Sequence, residues 1–120
     1  MRLLRLSGRK NCERVKTKGA LWKGKHLFAR WLPGAPKHLS SEAQHCSIFV
    51  GVLASLKLDK SAVKRNRMRR RCREALRLTL KNAPKRCASA QLLLLPRSSS
   101  LSCDFRELLE DCERLLSSLA

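Results

Sequence analysis

Acidic residues are scarce in this 120-residue chain, which holds 27 Lys and Arg but only 9 Asp and Glu. Five of the acids (Asp104, Glu107, Glu110, Asp111 and Glu113) crowd into the last segment, leaving Glu13, Glu42, Asp59 and Glu74 for everything before it. None of those four is paired at a metal-binding spacing, which excludes a self-sufficient metal-dependent nuclease and leaves no catalytic residue to name. The six cysteines (Cys12, Cys46, Cys72, Cys87, Cys103 and Cys112) include no C-x-x-C pair, which excludes a zinc ribbon or a redox motif. His45 adjoins Cys46, but neighbours in sequence rarely share one metal, so no protein-held metal is expected. Long apolar runs are missing too. Nothing approaches the roughly 20 residues of a spanning helix. Met1–Arg9 has no apolar stretch of signal-peptide length. A cytoplasmic protein without disulfides and without a membrane partner is therefore expected. There is no tyrosine, and only three Phe and two Trp, so stacking on nucleic-acid bases has few rings to use.

What is abundant is positive charge. The formal net charge is +18, and self-repulsion on that scale implies a polyanionic partner. The length fits one domain over residues 1–120, with a modest core and no room for a separate catalytic unit.

Residues 9–18 read as a short polar helix stopped by Gly19. His26–Leu32 reads as a strand with Leu27, Ala29 and Trp31 on one face. Pro33-Gly34 breaks it, and the stretch to Gln44 reads as a loop. Cys46–Leu53 is a β-branched strand buried on both faces, with Ile48, Val50 and Val52 pointing one way and Phe49 and Leu53 the other. Residues 61–81 form a helix for which Asp59 and Ser61 are both suitable N-caps. Met68, Cys72, Ala75, Leu76 and Thr79 make its narrow apolar stripe. Gln91–Leu95 reads as a buried strand ended by Pro96. Asp104–Leu119 is an amphipathic helix opened by a capping-box pattern, Asp104 with Glu107. Its seven apolar residues (Phe105, Leu108, Leu109, Cys112, Leu115, Leu116 and Leu119) are worth on the order of 10 kcal/mol of burial before entropy. Its acids should turn it away from the polyanion. The element order predicts a two-layer α+β sandwich around a central sheet. His26, His38 and His45 fall in weakly patterned sequence and read as surface or loop residues, not general bases.

The distinctive segment is Lys60–Arg77. It contains nine basic residues (Lys60, Lys64, Arg65, Arg67, Arg69, Arg70, Arg71, Arg73 and Arg77) against Glu74 alone. Like charges at i,i+4 disfavour a helix by a few tenths of a kcal/mol each, and a merely solvated face would intersperse acids. Arginine suits phosphate because its planar fork makes two parallel hydrogen bonds and stacks on bases. Such a helix can also enter a DNA major groove, but a DNA reader needs a dimer with half-site geometry, and no heptad seam is present.

The run Ser61-Ala-Val-Lys-Arg-Asn-Arg-Met-Arg-Arg-Arg-Cys-Arg-Glu-Ala75 closely resembles the signature of the bacterial ribonuclease P protein family. That signature is A-V, one residue, R-N-R, an apolar residue, two basic residues, and R-E-A three positions on. The lead-in Phe49–Lys57, the Arg14-Val15 and Gly19 upstream, and Pro96-Arg97 with an acidic last helix downstream are similar as well. The resemblance implies an α-β sandwich with a left-handed β-α-β crossover through the basic helix, an exception to the right-handed rule. It implies a monomeric RNA-binding subunit, with no protein partner, of an enzyme whose RNA removes the 5′ leader of precursor tRNA using Mg²⁺ held mainly by that RNA. By the same match Arg65, Asn66, Arg67, Arg69, Arg70 and Arg73 contact the catalytic RNA, with Lys57 and Lys64 nearby. A cleft beside the first helix takes the leader. There the family's two aromatic positions align with Cys12 and Lys16, and Leu56 replaces a lysine. Phe28, Trp31 and Trp22 are the rings that could substitute, Phe28 first. A structural rRNA-binding protein is the alternative reading.

Overall fold

The computed structural model describes residues 2–6, 8–34, 47–82 and 89–119. The predicted loop beyond Gly34, together with Cys46, Cys87, His38, His45 and Glu42, lies outside them. The elements are β1 (Arg2–Arg5), α1 (Arg9–Lys18), β2 (Ala20–Lys23), β3 (Leu27–Pro33), β4 (Ser47–Val52), α2 (Ala62–Asn82), β5 (Ala90–Pro96), a 3-10 turn (Ser98–Leu101) and α3 (Phe105–Ser118). The five strands form one sheet in the order β1-β4-β5-β3-β2. β4 runs parallel to both β1 and β5, while β3 is antiparallel to both β5 and β2. The connection from β4 through α2 to β5 thus joins parallel neighbours, the β-α-β crossover expected for this order.

Strand alternation distributes the core to two faces. Leu27 and Ala29 on β3, Ile48 and Val50 on β4, and Leu92 and Leu94 on β5 are buried against α2 and α3. Leu6, Phe49 and Leu93 face the other way and are buried with Val15 of α1. β4 and β5 are covered on both faces, which is why they read as unbroken apolar runs. Trp22 and Trp31 pack on the α2–α3 side. The sandwich of sheet and helices stands as expected, with the short α1 laid across its second face.

Two strands escaped the sequence reading. β1 offers only Leu3 and Leu4 between arginines, and its partner β4 is far along the chain. β2 is a four-residue edge hairpin to β3. Gly19, the predicted helix stop, has φ −72° and ψ 149°, which any residue can adopt. Glycine is required there by space: a Cβ would stand 2.3 Å from the Val15 carbonyl oxygen and 3.0 Å from that of Trp31.

Three expectations need correction. The Asp104–Glu107 capping box does not close. Asp104 accepts from the Arg106 amide at 3.1 Å, but the Glu107 carboxylate reaches across to Lys25 and His26. Asp111 is not a surface acid of α3: it is fully buried, accepting the Lys25 amide at 3.1 Å and the His26 amide at 2.7 Å. His26 is not a surface residue. It is 7% exposed, because its ring is held by Ser99 at 2.9 Å and Glu107 at 3.2 Å. All three differences share one cause: α3 docks on the β2–β3 turn, a partnership with no local sequence signal.

Removing the Asp111 carboxylate leaves two amides of that turn without an acceptor. Asp111→Ala is expected to lower unfolding free energy by about 3 kcal/mol, and Asp111→Asn by less, as read from urea denaturation followed by circular dichroism.

Candidate nucleic-acid interface

α2 starts where the sequence suggested. The Ser61 amide donates to Asp59 Oδ1 at 2.8 Å, and the Lys64 amide donates to the Ser61 hydroxyl at 3.4 Å. The buried stripe is the predicted Met68, Cys72, Ala75, Leu76 and Thr79, extended by Leu80. Thr79 satisfies its hydroxyl on the Ala75 carbonyl at 2.8 Å. Burial pushes the Cys72 thiol up to about 12 and raises that of Cys112 as well, so both act as apolar packing groups.

The structure divides the arginines of this helix into groups with different work. Arg71 turns inward and donates to the carbonyls of Ser100, Leu101 and Cys103, tying α2 to the 3-10 turn. Arg65 donates to the carbonyls of Asp59 at 2.9 Å and Lys60 at 3.1 Å. Arg69 donates to the Ala54 carbonyl at 2.9 Å and to Asn66 Oδ1 at 2.7 Å. Arg65 and Arg69 therefore brace the β4–α2 connection, and Asn66 has its oxygen occupied. Arg77 pairs with Glu74, which holds the Glu74 carboxyl below its usual range. Lys64, Arg67, Arg70 and Arg73 are exposed and make no side-chain hydrogen bond or ion pair with another described residue. Lys57 is likewise exposed, in the turn after Leu56. At about 100° per residue, Asn66, Arg70, Arg73 and Arg77 share one outward stripe of the helix.

Arg73 leads from that stripe into a cleft of about 340 Å³ beneath α1. Gly51 and Leu93 lie on its floor, Cys12 faces it, and among the described residues Arg5, Arg9, Lys16 and Arg73 line it against one acid, Glu13. A Cβ at residue 51 would point toward Leu93 at 3.5 Å and the Cys12 sulfur at 3.8 Å, so glycine keeps the floor low. The Cys12 thiol donates weakly to the Leu6 carbonyl at 3.8 Å. Cys12 and Lys16 are thus brought together with three further basic side chains, Arg5, Arg9 and Arg73. Phe28 is not in the cleft. It is paired with Leu95 on the same sheet face, one strand beyond the floor, with the Arg97 guanidinium 5.0 Å and the Lys23 ammonium 5.9 Å from its ring centre. Trp22 and Trp31 belong to the opposite face. The sequence reading missed Arg5 and Arg9 as cleft residues: the unrecognised β1 carries Arg5, and Arg9 opens α1 beside it.

Three acids beside this surface already have partners. Glu13 pairs with Arg9, Asp59 caps Ser61 and Glu74 pairs with Arg77. Among the described residues no helix is long and apolar enough to cross a membrane.

A small α+β protein with a cationic crossover helix opening onto a cationic cleft is the class this fold defines. The chain belongs to the ribonuclease P protein family, whose model, described as Ribonuclease P, matches residues 1–120. It is 34% identical over 121 residues to the ribonuclease P protein component of Prochlorococcus marinus, covering 94% of this chain and 90% of that one. It is 36% identical over 115 residues to the component of Thermus aquaticus, covering 96% of this chain and 59% of that longer protein. The fold is that of the RNase P protein from Thermotoga maritima, with a TM-score of 0.71 at 18% identity over 97% of each chain. The Staphylococcus aureus protein aligns with a TM-score of 0.68 at 17% identity over 96% of this chain and 94% of that one.

The division of labour on α2 predicts two different phenotypes from adjacent arginines. Arg71→Ala should cost about 2–3 kcal/mol of stability by leaving three carbonyls without their donor. Arg70→Ala should stay within about 0.5 kcal/mol of wild type, both variants being read by urea denaturation.

Proposed function

We propose that this chain is the protein subunit of ribonuclease P, that its α2 surface binds the catalytic RNA, and that its cleft binds the 5′ leader of precursor tRNA. Membership of the family supports the enzyme. One observation supports the binding mode: Arg73 belongs both to the outward stripe of α2 and to the lining of the cleft, so one cationic track joins the two surfaces. Lys64, Arg67, Arg70 and Arg73 supply the phosphate contacts, with Lys57 at the edge. Arg65, Asn66 and Arg69 hold the helix start in the shape the RNA meets. In the cleft, Lys16 with Arg5 and Arg9 replaces ring stacking by charge, and Cys12 gives a small apolar wall. Phe28, braced by Arg97 and Lys23, offers one stacking surface where a leader leaves the cleft. The bond-breaking chemistry lies in the RNA, which holds the Mg²⁺. The protein neutralises phosphates, so that substrate and metal ions bind at lower Mg²⁺.

The test is cleavage of a precursor tRNA by a bacterial ribonuclease P RNA at low Mg²⁺, with and without the protein. Strong stimulation by wild type, lost in Arg67→Ala/Arg70→Ala, is expected. Tight RNA binding without any stimulation would instead assign a general RNA-binding role. Binding should also weaken steeply with salt, and Arg70→Ala/Arg73→Ala should flatten the log–log slope by about 1.5, since each phosphate contact contributes roughly 0.7–0.9.

A further inference from the structure

Away from the RNA-facing surface, the fold gathers a set of side chains that the function above does not use. His26 precedes β3, Cys103 follows the 3-10 turn, and Glu107 lies in the first turn of α3. Their ligand atoms (an imidazole nitrogen, a thiol sulfur and a carboxylate oxygen) all lie within 4.8 Å of one another. We propose that His26, Cys103 and Glu107 bind one zinc ion, clasping the β2–β3 turn to the start of α3.

The donor set matches zinc. It combines one soft thiolate, one imidazole and one carboxylate, and three protein ligands leave a fourth tetrahedral position for water. Zinc bonds of about 2.0–2.3 Å place tetrahedral ligands roughly 3.3–3.8 Å apart. His26 Nε2 and Glu107 Oε2 already stand at 3.2 Å. Small side-chain adjustments bring the sulfur into the same shell.

The surroundings are those that orient metal ligands. The Ser99 hydroxyl lies 2.9 Å from His26 Nδ1, so it can accept from the Nδ1–H tautomer and leave the Nε2 lone pair for the ion. The buried Asp111 carboxylate fixes the backbone of Lys25 and His26. Arg71 fixes the Cys103 carbonyl. Lys25 holds Glu107 Oε1 at 2.6 Å, so Glu107 presents Oε2 as a one-oxygen ligand. Binding displaces the Cys103 thiol proton to solvent as the zinc–sulfur bond forms, so affinity falls as the pH is lowered. The ligands are separated by up to 81 residues in sequence, which is why no ligand spacing revealed them.

Co²⁺ titration of the full chain under reducing conditions tests the site, because a thiolate ligand gives a charge-transfer band and tetrahedral cobalt gives intense visible bands. One equivalent of Co²⁺ should produce both, and Zn²⁺ should displace it and raise Tm. Cys103→Ser should abolish the charge-transfer band, and Cys12→Ser should leave it intact. Glu107→Gln, with circular dichroism confirming the fold, should weaken Zn²⁺ at least tenfold, and Ser99→Ala should weaken it about 10–100-fold. No tetrahedral spectrum, or a thiolate band that survives Cys103→Ser, would overturn the proposal.

Discussion

Like-charge crowding on α2 is the constraint around which the molecule is organised. A helix with nine basic residues and one acid is poorly stable by itself. Two things offset the repulsion. The stripe from Met68 to Leu80 is buried against the sheet and α3. In addition, three guanidinium groups are bonded to backbone carbonyls that would otherwise face solvent or lack donors: Arg71 at the 3-10 turn, and Arg65 and Arg69 at the connection from β4. The charge left exposed is therefore placed, not spread, and it borders the cleft through Arg73.

The sheet makes that placement possible by being covered unequally. α2 and α3 together bury one face over β3, β4 and β5, whereas the ten-residue α1 buries a single side chain completely, Val15. Between α1, β1 and the open end of β4 a cleft remains, and the basic residues of β1 and α1 line it. The acids follow the opposite geography. Glu107 and Asp111 are committed to the β2–β3 turn on the α3 side, where they stabilise a turn and also reduce the negative potential an RNA would meet.

Periodicity revealed most of this architecture, since α2, α3, β4 and β5 each bury a regular set of side chains and so carry a local signature. The resemblance around Arg65-Asn66-Arg67 pointed to the family to which the chain belongs. What could not be read is what depends on distant partners. β1 exists because β4 offers it a parallel edge. His26 and Asp111 are buried because α3 meets a turn more than eighty residues earlier. A string of arginines also looks uniform in sequence, and only the positions of carbonyl oxygens separate Arg71, which braces the fold, from Arg70, which faces out. Phe28 fell on the predicted sheet face but beyond the cleft, because strand alternation fixes the face and not the position along it.

The strand order has a consequence for synthesis. β5 pairs with β4 on one side and β3 on the other, so it joins a β1–β4 half to a β2–β3 half. It is also the last strand to be made. A growing chain can form the hairpin and the parallel pair early, but the sheet closes only when residues 90–96 have left the ribosome. Until then α2 has been released with no completed sheet beneath its apolar stripe and no α3 beside it. The nascent protein thus passes through a stage in which its most cationic segment is its least anchored one, surrounded by the RNA of the machine that is making it.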